Sequence, residues 1–259
     1  MIVPVPAFVP PLVAATFGAL IGSFLNVCVY RLPRHTSIVW PASACPGCAR
    51  ELSWYENIPI LSFLALRGRC RTCGITIGWR YPLIEALTAV MFGAAFWYYG
   101  PGPLLASRLV LGCALIVLFA IDLEHHLLPN VITLPGIIVG FVFSFLTEPG
   151  WVASLLGIAV GGGILWAIAE AYYRIRHEDG LGMGDVKMLA MVGAFLGWKL
   201  TILTLMAASF SGTLIGLALI ATSRGGMKSA LPFGTFLALG AAAAATVGPN
   251  LLDWYLGLW

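Results

Sequence analysis

Asp122 and Asp185 each sit at the end of a long apolar run, the second within Gly182-Met183-Gly184-Asp185. A carboxylate at a membrane boundary is costly to place, and one found there usually has a function. Two that meet can share a proton and activate water for peptide hydrolysis. One, ionised, takes a proton from water as it attacks a peptide carbonyl; the other, protonated, donates to the carbonyl oxygen. Each aspartate also has an ordinary alternative. Asp122 could end a polar helix, although a carboxylate at a helix C-terminus opposes the dipole. Asp185 could cap the helix that follows it. Gly180, Gly182 and Gly184 suit an irregular backbone lining a hydrated pocket. Lys187 could face cytosol or lipid headgroups, or could neutralise substrate; residues two apart on a helix do not face one another, which weakens a direct action on Asp185.

Cys45-Pro46-Gly47-Cys48 and Cys70-Arg71-Thr72-Cys73 form a second constellation, with 21 residues between them. Two such pairs are the pattern of a four-thiolate zinc site, because each turn presents two sulfurs to one ion. Two disulfides are the alternative, disfavoured if the loop faces a reducing cytoplasm. Four cysteines leave no open position for water, so the expected metal role is structural. Cys28 and Cys113 lie in apolar segments and read as core thiols. Glu124, His125 and His126 also invite a metal reading, but no matching ligand set recurs elsewhere. The stretch from Glu51 to Pro59 could contact a cationic or peptide substrate, or could be a solvated surface anchored by aromatic rings. Glu170 and Arg174 have the spacing of an i,i+4 structural pair.

The elements that must position these residues follow from composition. Of 259 residues, 60% are hydrophobic and only 10% charged, with a mean hydropathy of +0.94. Soluble domains carry about 25% charged residues. The sequence predicts an all-α polytopic membrane protein with about eight transmembrane helices: 8–30, 82–99, 104–122, 130–147, 151–173, 186–198, 200–222 and 231–257. No basic residue precedes the first apolar run, so that segment is expected to be retained rather than removed as a signal peptide. The expected organisation is a first helix (1–30), a small cytoplasmic zinc-binding loop domain (31–81) and a seven-helix membrane peptidase domain (82–259). Gly157, Gly161 to Gly163, Gly193, Gly197, Gly212 and Gly216 predict close helix packing.

Twelve of the fourteen basic residues fall on one side of such an eight-helix arrangement: Arg31, Arg34, Arg50, Arg67, Arg69, Arg71, Arg80, Arg174, Arg176, Lys187, Arg224 and Lys228. The positive-inside rule makes that side cytoplasmic. Both termini then lie on the opposite side, and both aspartates lie at the cytoplasmic boundary at similar depth. A helix over 186–198 covers only about 20 Å, against a hydrocarbon core of about 30 Å. Either the helix continues past Lys199, or Asp185 sits below the surface in a hydrated pocket. No nucleic-acid partner is expected.

Taken together, these motifs resemble the type IV prepilin leader peptidases. The likeness covers nearly the whole chain: Gly22-Ser23-Phe24-Leu25-Asn26-Val27 with Tyr30-Arg31-Leu32-Pro33, both cysteine pairs, Trp54 to Pro59, Arg80-Tyr81-Pro82 with Glu85, Asp122 through Asn130, Gly182 to Lys187, and Pro232-Phe233-Gly234. The resemblance implies a GxGD-type aspartic peptidase of the bacterial inner membrane. It would cleave the basic leader of type IV prepilins and pseudopilins of type II secretion on the cytoplasmic side. Asp122 and Asp185 match the family's catalytic pair. The cysteine-bearing loop implies a second activity, N-methylation of the new N-terminus with S-adenosylmethionine. No residue is assigned to that donor, because no glycine-rich donor-binding loop of the soluble kind is present. Thr235 stands where the family's pattern leads us to expect proline. The competing readings are a peptidase without methyl transfer and a proton-coupled transporter using the two aspartates as relay groups; the chain offers no evident paired broken helices of the transporter kind.

Overall fold

The computed structural model describes residues 8–178, 180–222 and 231–257. Arg224, Lys228 and the N-terminal residues 1–6, all used in the sequence reading, lie outside them. The described residues are helical and contain no strand, only two isolated bridging pairs, Ala44 with Glu51 and Arg69 with Thr76. The chain divides into two compact units that meet in sequence between Leu105 and Ala106.

In the first unit, α1 (Val9–Arg31), α2 (Leu61–Ala65) and α3 (Arg80–Tyr99) carry the long loop between them. α1 opens with prolines in its first turn, where the missing N–H has no intrahelical partner to lose. α1 packs along α3. The approach is close because Gly22 has no side chain: a Cβ there would lie 2.7 Å from the Glu85 Cα. The buried Asn26 then donates across the pair to the Tyr81 carbonyl at 3.0 Å. Glu85 accepts the Ile60 N–H at 2.8 Å and so ties the loop back to α3.

The second unit is built on α7 (Met183–Ala221), onto which α5 (Asn130–Phe143), α6 (Trp151–Arg176) and α8 (Phe233–Thr246) pack. α4 (Pro103–His125) contributes Leu111, Leu115 and Leu118 to the same apolar cluster, and α9 (Gly248–Leu256) follows α8. The α6–α7 contact runs backbone to backbone. The Gly193 carbonyl occupies the place of a Gly157 side chain, and the Leu189 carbonyl oxygen would lie 2.6 Å from a Cβ at Gly161. Dispersion and short polar contacts hold such helices together where lipid supplies no hydrophobic drive. Ser154 adds one, donating to the Ala194 carbonyl at 2.7 Å. Glu170 and Arg174 form the expected pair, at 2.7 Å.

The all-α, multi-span character is borne out, but the number of spans is not. Among the described residues four helices are long and apolar enough to cross a membrane: α1 with its short extension to Arg34, α4, α6 and α7. The bent pair α8 and α9, turned by 64°, makes up to five. α5 has 14 residues, or about 21 Å. α3 includes Glu85 and ends in Trp97-Tyr98-Tyr99, which dilute its apolarity. The segments read as 186–198 and 200–222 are two helices within 183–221, divided where Gly197 leaves helical geometry at φ 74 and ψ 171; Gly161 faces both Leu189 and Thr201, so the chain turns back there. Of the two alternatives for Asp185, the helix that begins beside it ends at Gly197, short of Lys199, and the carboxylate is buried.

Candidate active site

Asp122 lies in the last turn of α4 with 5% of its surface exposed, and Asp185 in the first turn of α7 with 9%. The chain immediately after Asp122, from Leu123 to Leu127, is exposed. The carboxylate is therefore buried one turn from an open end of the bundle. The two aspartates are near enough for the charge of one to act on the other. Leu128 ties their surroundings together: a Cβ added at Gly184 would lie 2.9 Å from its Cβ, and one at Gly234 would lie 2.9 Å from its Cδ1.

The Asp122 carboxylate is oriented by a backbone donor at a helix start. The first N–H groups of a helix have no partner within it and favour an acceptor of negative charge. At α8, whose first turn follows Pro232, Thr235 donates its N–H to Asp122 Oδ2 at 2.7 Å. Asp122 on α4 thus caps a helix 113 residues further along the chain. At α7, Asp185 is the third residue of the helix that Gly182 precedes, and its own N–H bonds the Gly182 carbonyl at 3.0 Å. The N-cap position belongs to Gly182, so the capping alternative for Asp185 is not realised; its carboxylate is buried instead. Gly182 and Gly184 line this turn, and Gly182 is open to solvent.

Lys187 does not turn toward the carboxylates. Its Nζ donates to Asn130 Oδ1 at 2.9 Å, joining the start of α7 to the start of α5. Sequence reasoning did not find the roles of Asn130, Leu128 and the Gly234–Thr235 backbone. The available signal was Pro232 ahead of an apolar run, which announces a helix start and hence free N–H groups. The Thr235 substitution matters here, because proline at this position would have no N–H to give.

In the first unit, the Sγ atoms of Cys45, Cys48, Cys70 and Cys73 lie within 4.8 Å of one another. Among the described residues this is the one such group of potential metal ligands, so Glu124, His125 and His126 do not assemble one. The Cys45 and Cys73 sulfurs are 3.7 Å apart, against about 3.8 Å for two thiolates bound tetrahedrally to zinc at ~2.3 Å. The two cysteine turns are built alike. The Cys45 N–H bonds the Arg50 carbonyl and the Ala49 N–H bonds the Cys45 carbonyl; Cys70, Ile75 and Gly74 repeat this. Ala49 and Gly74 both have positive φ, 56° and 69°. The clustered sulfurs share protons: backbone N–H groups of Cys73 and Thr72 hold the Cys70 thiol down at about 6, while Cys73 is pushed up to about 11. The residues therefore fit a four-thiolate zinc ion.

Glu56 is committed elsewhere than to substrate. Its side chain is buried and accepts from Arg50 at 2.7 and 2.9 Å and from the Ser53 N–H at 2.9 Å. These bonds, Arg50 first, hold its carboxyl below the usual range. Glu51 remains exposed.

Comparison with known proteins places both constellations. Residues 16–99, with the cysteines, match the bacterial peptidase A24 N-terminal domain. Residues 109–217, with both aspartates, match the type IV leader peptidase family. A prepilin leader peptidase/N-methyltransferase of Myxococcus xanthus is 42% identical over 229 residues, covering 86% of this chain and 68% of its own. Proteins of the same description from Pseudomonas aeruginosa (34% identical, 92% and 91% covered) and Aeromonas hydrophila (35%, 93% and 91%) are similar almost end to end. No solved structure matches the chain. With both domains matched in order and relatives alike over most of their length, the chain belongs to the type IV leader peptidase family.

Proposed function

We propose that this chain is a bifunctional membrane enzyme. It removes the leader peptide of type IV prepilins or related pseudopilins and then N-methylates the new N-terminal residue. Family membership and the shared description of the relatives support both activities. The observation that carries the peptidase reading is the meeting of two buried carboxylates, from α4 and α7, beside the first turn of α8.

In this reading Asp122 and Asp185 are the catalytic pair. One ionised carboxylate takes a proton from water, whose oxygen attacks the scissile carbonyl. The other, protonated, donates to the carbonyl oxygen, and the tetrahedral intermediate collapses as the amine leaves with a proton. The Thr235 N–H fixes the orientation of Asp122, which places it before substrate arrives. Gly182 and Gly184 let the turn approach the reacting peptide, and Lys187 braces it through Asn130. The alternation of exposed Gly182 with buried Asp185 supports water entry at this end of the bundle.

The four cysteines would hold a structural zinc that stabilises a loop with little core of its own. S-adenosylmethionine is the expected methyl donor. The trough beside α8 has no charged lining for the donor's ammonium and carboxylate groups, and no residue is assigned to it. The division into a first helix, a zinc loop (31–81) and a membrane peptidase domain (82–259) is retained as part of the proposal. So are eight crossings in the bacterial inner membrane, with the site facing the cytoplasm and both termini opposite; the clustering of basic residues supports this orientation.

Purified protein incubated with a prepilin and the methyl donor tests the reading, with intact mass reporting cleavage and methylation separately. Asp122→Asn and Asp185→Asn should each lower cleavage by at least about a thousandfold while helical circular dichroism is unchanged. Wild-type cleavage by either variant ends the dyad assignment.

A further inference from the structure

Beside the aspartate site lies an open trough of about 310 Å³ between α7 and the start of α8, lined by Ser209, Gly212, Thr213, Leu231, Phe233 and Phe236. Phe233 and Phe236 bracket Gly234, which lies against the Asp122 carboxylate, and Thr235, whose N–H holds it. The trough therefore starts one residue from the turn that orients a catalytic carboxylate. Its lining carries no charge. The Thr213 hydroxyl donates to the Ser209 carbonyl at 2.7 Å, so it does not ask for a polar ligand.

Gly212 is the informative residue. It sits inside α7, where glycine is unfavourable relative to alanine because of its backbone entropy. Gly157, Gly161 and Gly193 are explained by neighbouring backbone that any Cβ would strike. Gly212 is not: an added Cβ would meet nothing nearer than the Phe236 ring, at 3.5 Å, an ordinary contact. Helix packing does not demand glycine here. A side chain at 212 would instead occupy the trough.

We propose that this trough is a specificity subsite that receives a large apolar side chain of the peptide substrate next to the bond that is cut. The proposal rests on the peptidase reading above. A peptide cleaved at the ends of apolar helices carries an apolar segment into the bilayer. Running from Asp122 along the first turn of α8, that segment meets Phe233 and then Phe236. The volume lies at the lower end of the roughly 300–1,000 Å³ typical of ligand sites, a size for one or two side chains.

The test uses the full-length protein and two prepilin peptides. They differ only at the residues next to the cut on its apolar side, which are either large and apolar or all alanine. Gly212→Leu should lower kcat/KM for the bulky peptide about tenfold, mostly through KM, and change the alanine peptide less than about twofold, as expected when a hydrophobic pocket loses volume. Gly212→Ala, whose Cβ the structure accommodates, should show a smaller loss with the same selectivity and an unchanged Tm; it decides the matter should the leucine variant fail to fold. An equal loss on both peptides, or no change on either because lipid fills the trough, overturns the subsite while cleavage by wild type leaves the peptidase reading standing. Failure of wild type to cleave either peptide overturns the peptidase reading and the subsite with it.

Discussion

Replacing Gly234 by alanine tests how Asp122 is held. The new Cβ would lie 2.9 Å from Asp122 Oδ2, 3.0 Å from its Cγ and 2.9 Å from Leu128 Cδ1. Carbon contacts are comfortable at about 3.5–4.0 Å, so the carboxylate must retreat by roughly half an ångström. Leu128 is as close to the new Cβ as the carboxylate is, so it must shift as well. The retreat stretches the 2.7 Å bond from the Thr235 N–H toward the ~3.2 Å limit of a good hydrogen bond. Misplacing a catalytic group by ~1 Å can cost about a hundredfold in rate. The expected fall in kcat for Gly234→Ala is therefore about 10- to 100-fold, or ~1.4–2.7 kcal/mol, with KM within about twofold. Alanine in a helix is otherwise favourable over glycine by about 0.5–1 kcal/mol, so Tm should move by only a few degrees. Steady-state cleavage of a prepilin peptide in detergent, with a thermal melt on the same sample, measures both. A kcat within twofold of wild type at unchanged Tm would refute the claim that the first turn of α8 orients Asp122.

Protein purified without chelator and with thiols reduced should carry one zinc per chain by elemental analysis, and Cys45→Ser or Cys73→Ser should lose it; metal-free intact protein would remove the site. The Arg50–Glu56 pair should make the loop acid-sensitive. The Glu56 pKa is lowered on folding, so its contribution is present above the unfolded value of about 4.3 and is lost as pH falls through the lower folded value. The Tm advantage of wild type over Glu56→Gln should therefore shrink on acidification below about pH 4.3. An advantage that does not change with pH would show that the ion pair is not its source.

Much of the chemistry could be read from residue types alone. Charge is expensive in an apolar run whatever the fold, so Asp122 and Asp185 stood out before any helix was placed. The cysteine pairs were equally legible, because each turn forms from neighbouring residues and two turns suffice for four sulfurs. Span counting was less secure. Hydropathy measures apolar length and divided 183–221 close to the break at Gly197, but not that α5 would have only 14 residues, nor that α8 and α9 would turn by 64°.

What only the tertiary structure decided concerns groups without a letter of their own. The Thr235 N–H that grips Asp122 belongs to the backbone, and it acts 113 positions away. Lys187 chose Asn130 and Glu56 chose Arg50 because folding brought those partners within reach. Sequence by itself determined which side chains carry charge into the apolar region and which can bind a metal. Packing determined their orientation, because orientation comes from hydrogen-bond donors and steric stops supplied by distant segments that meet only in the folded chain.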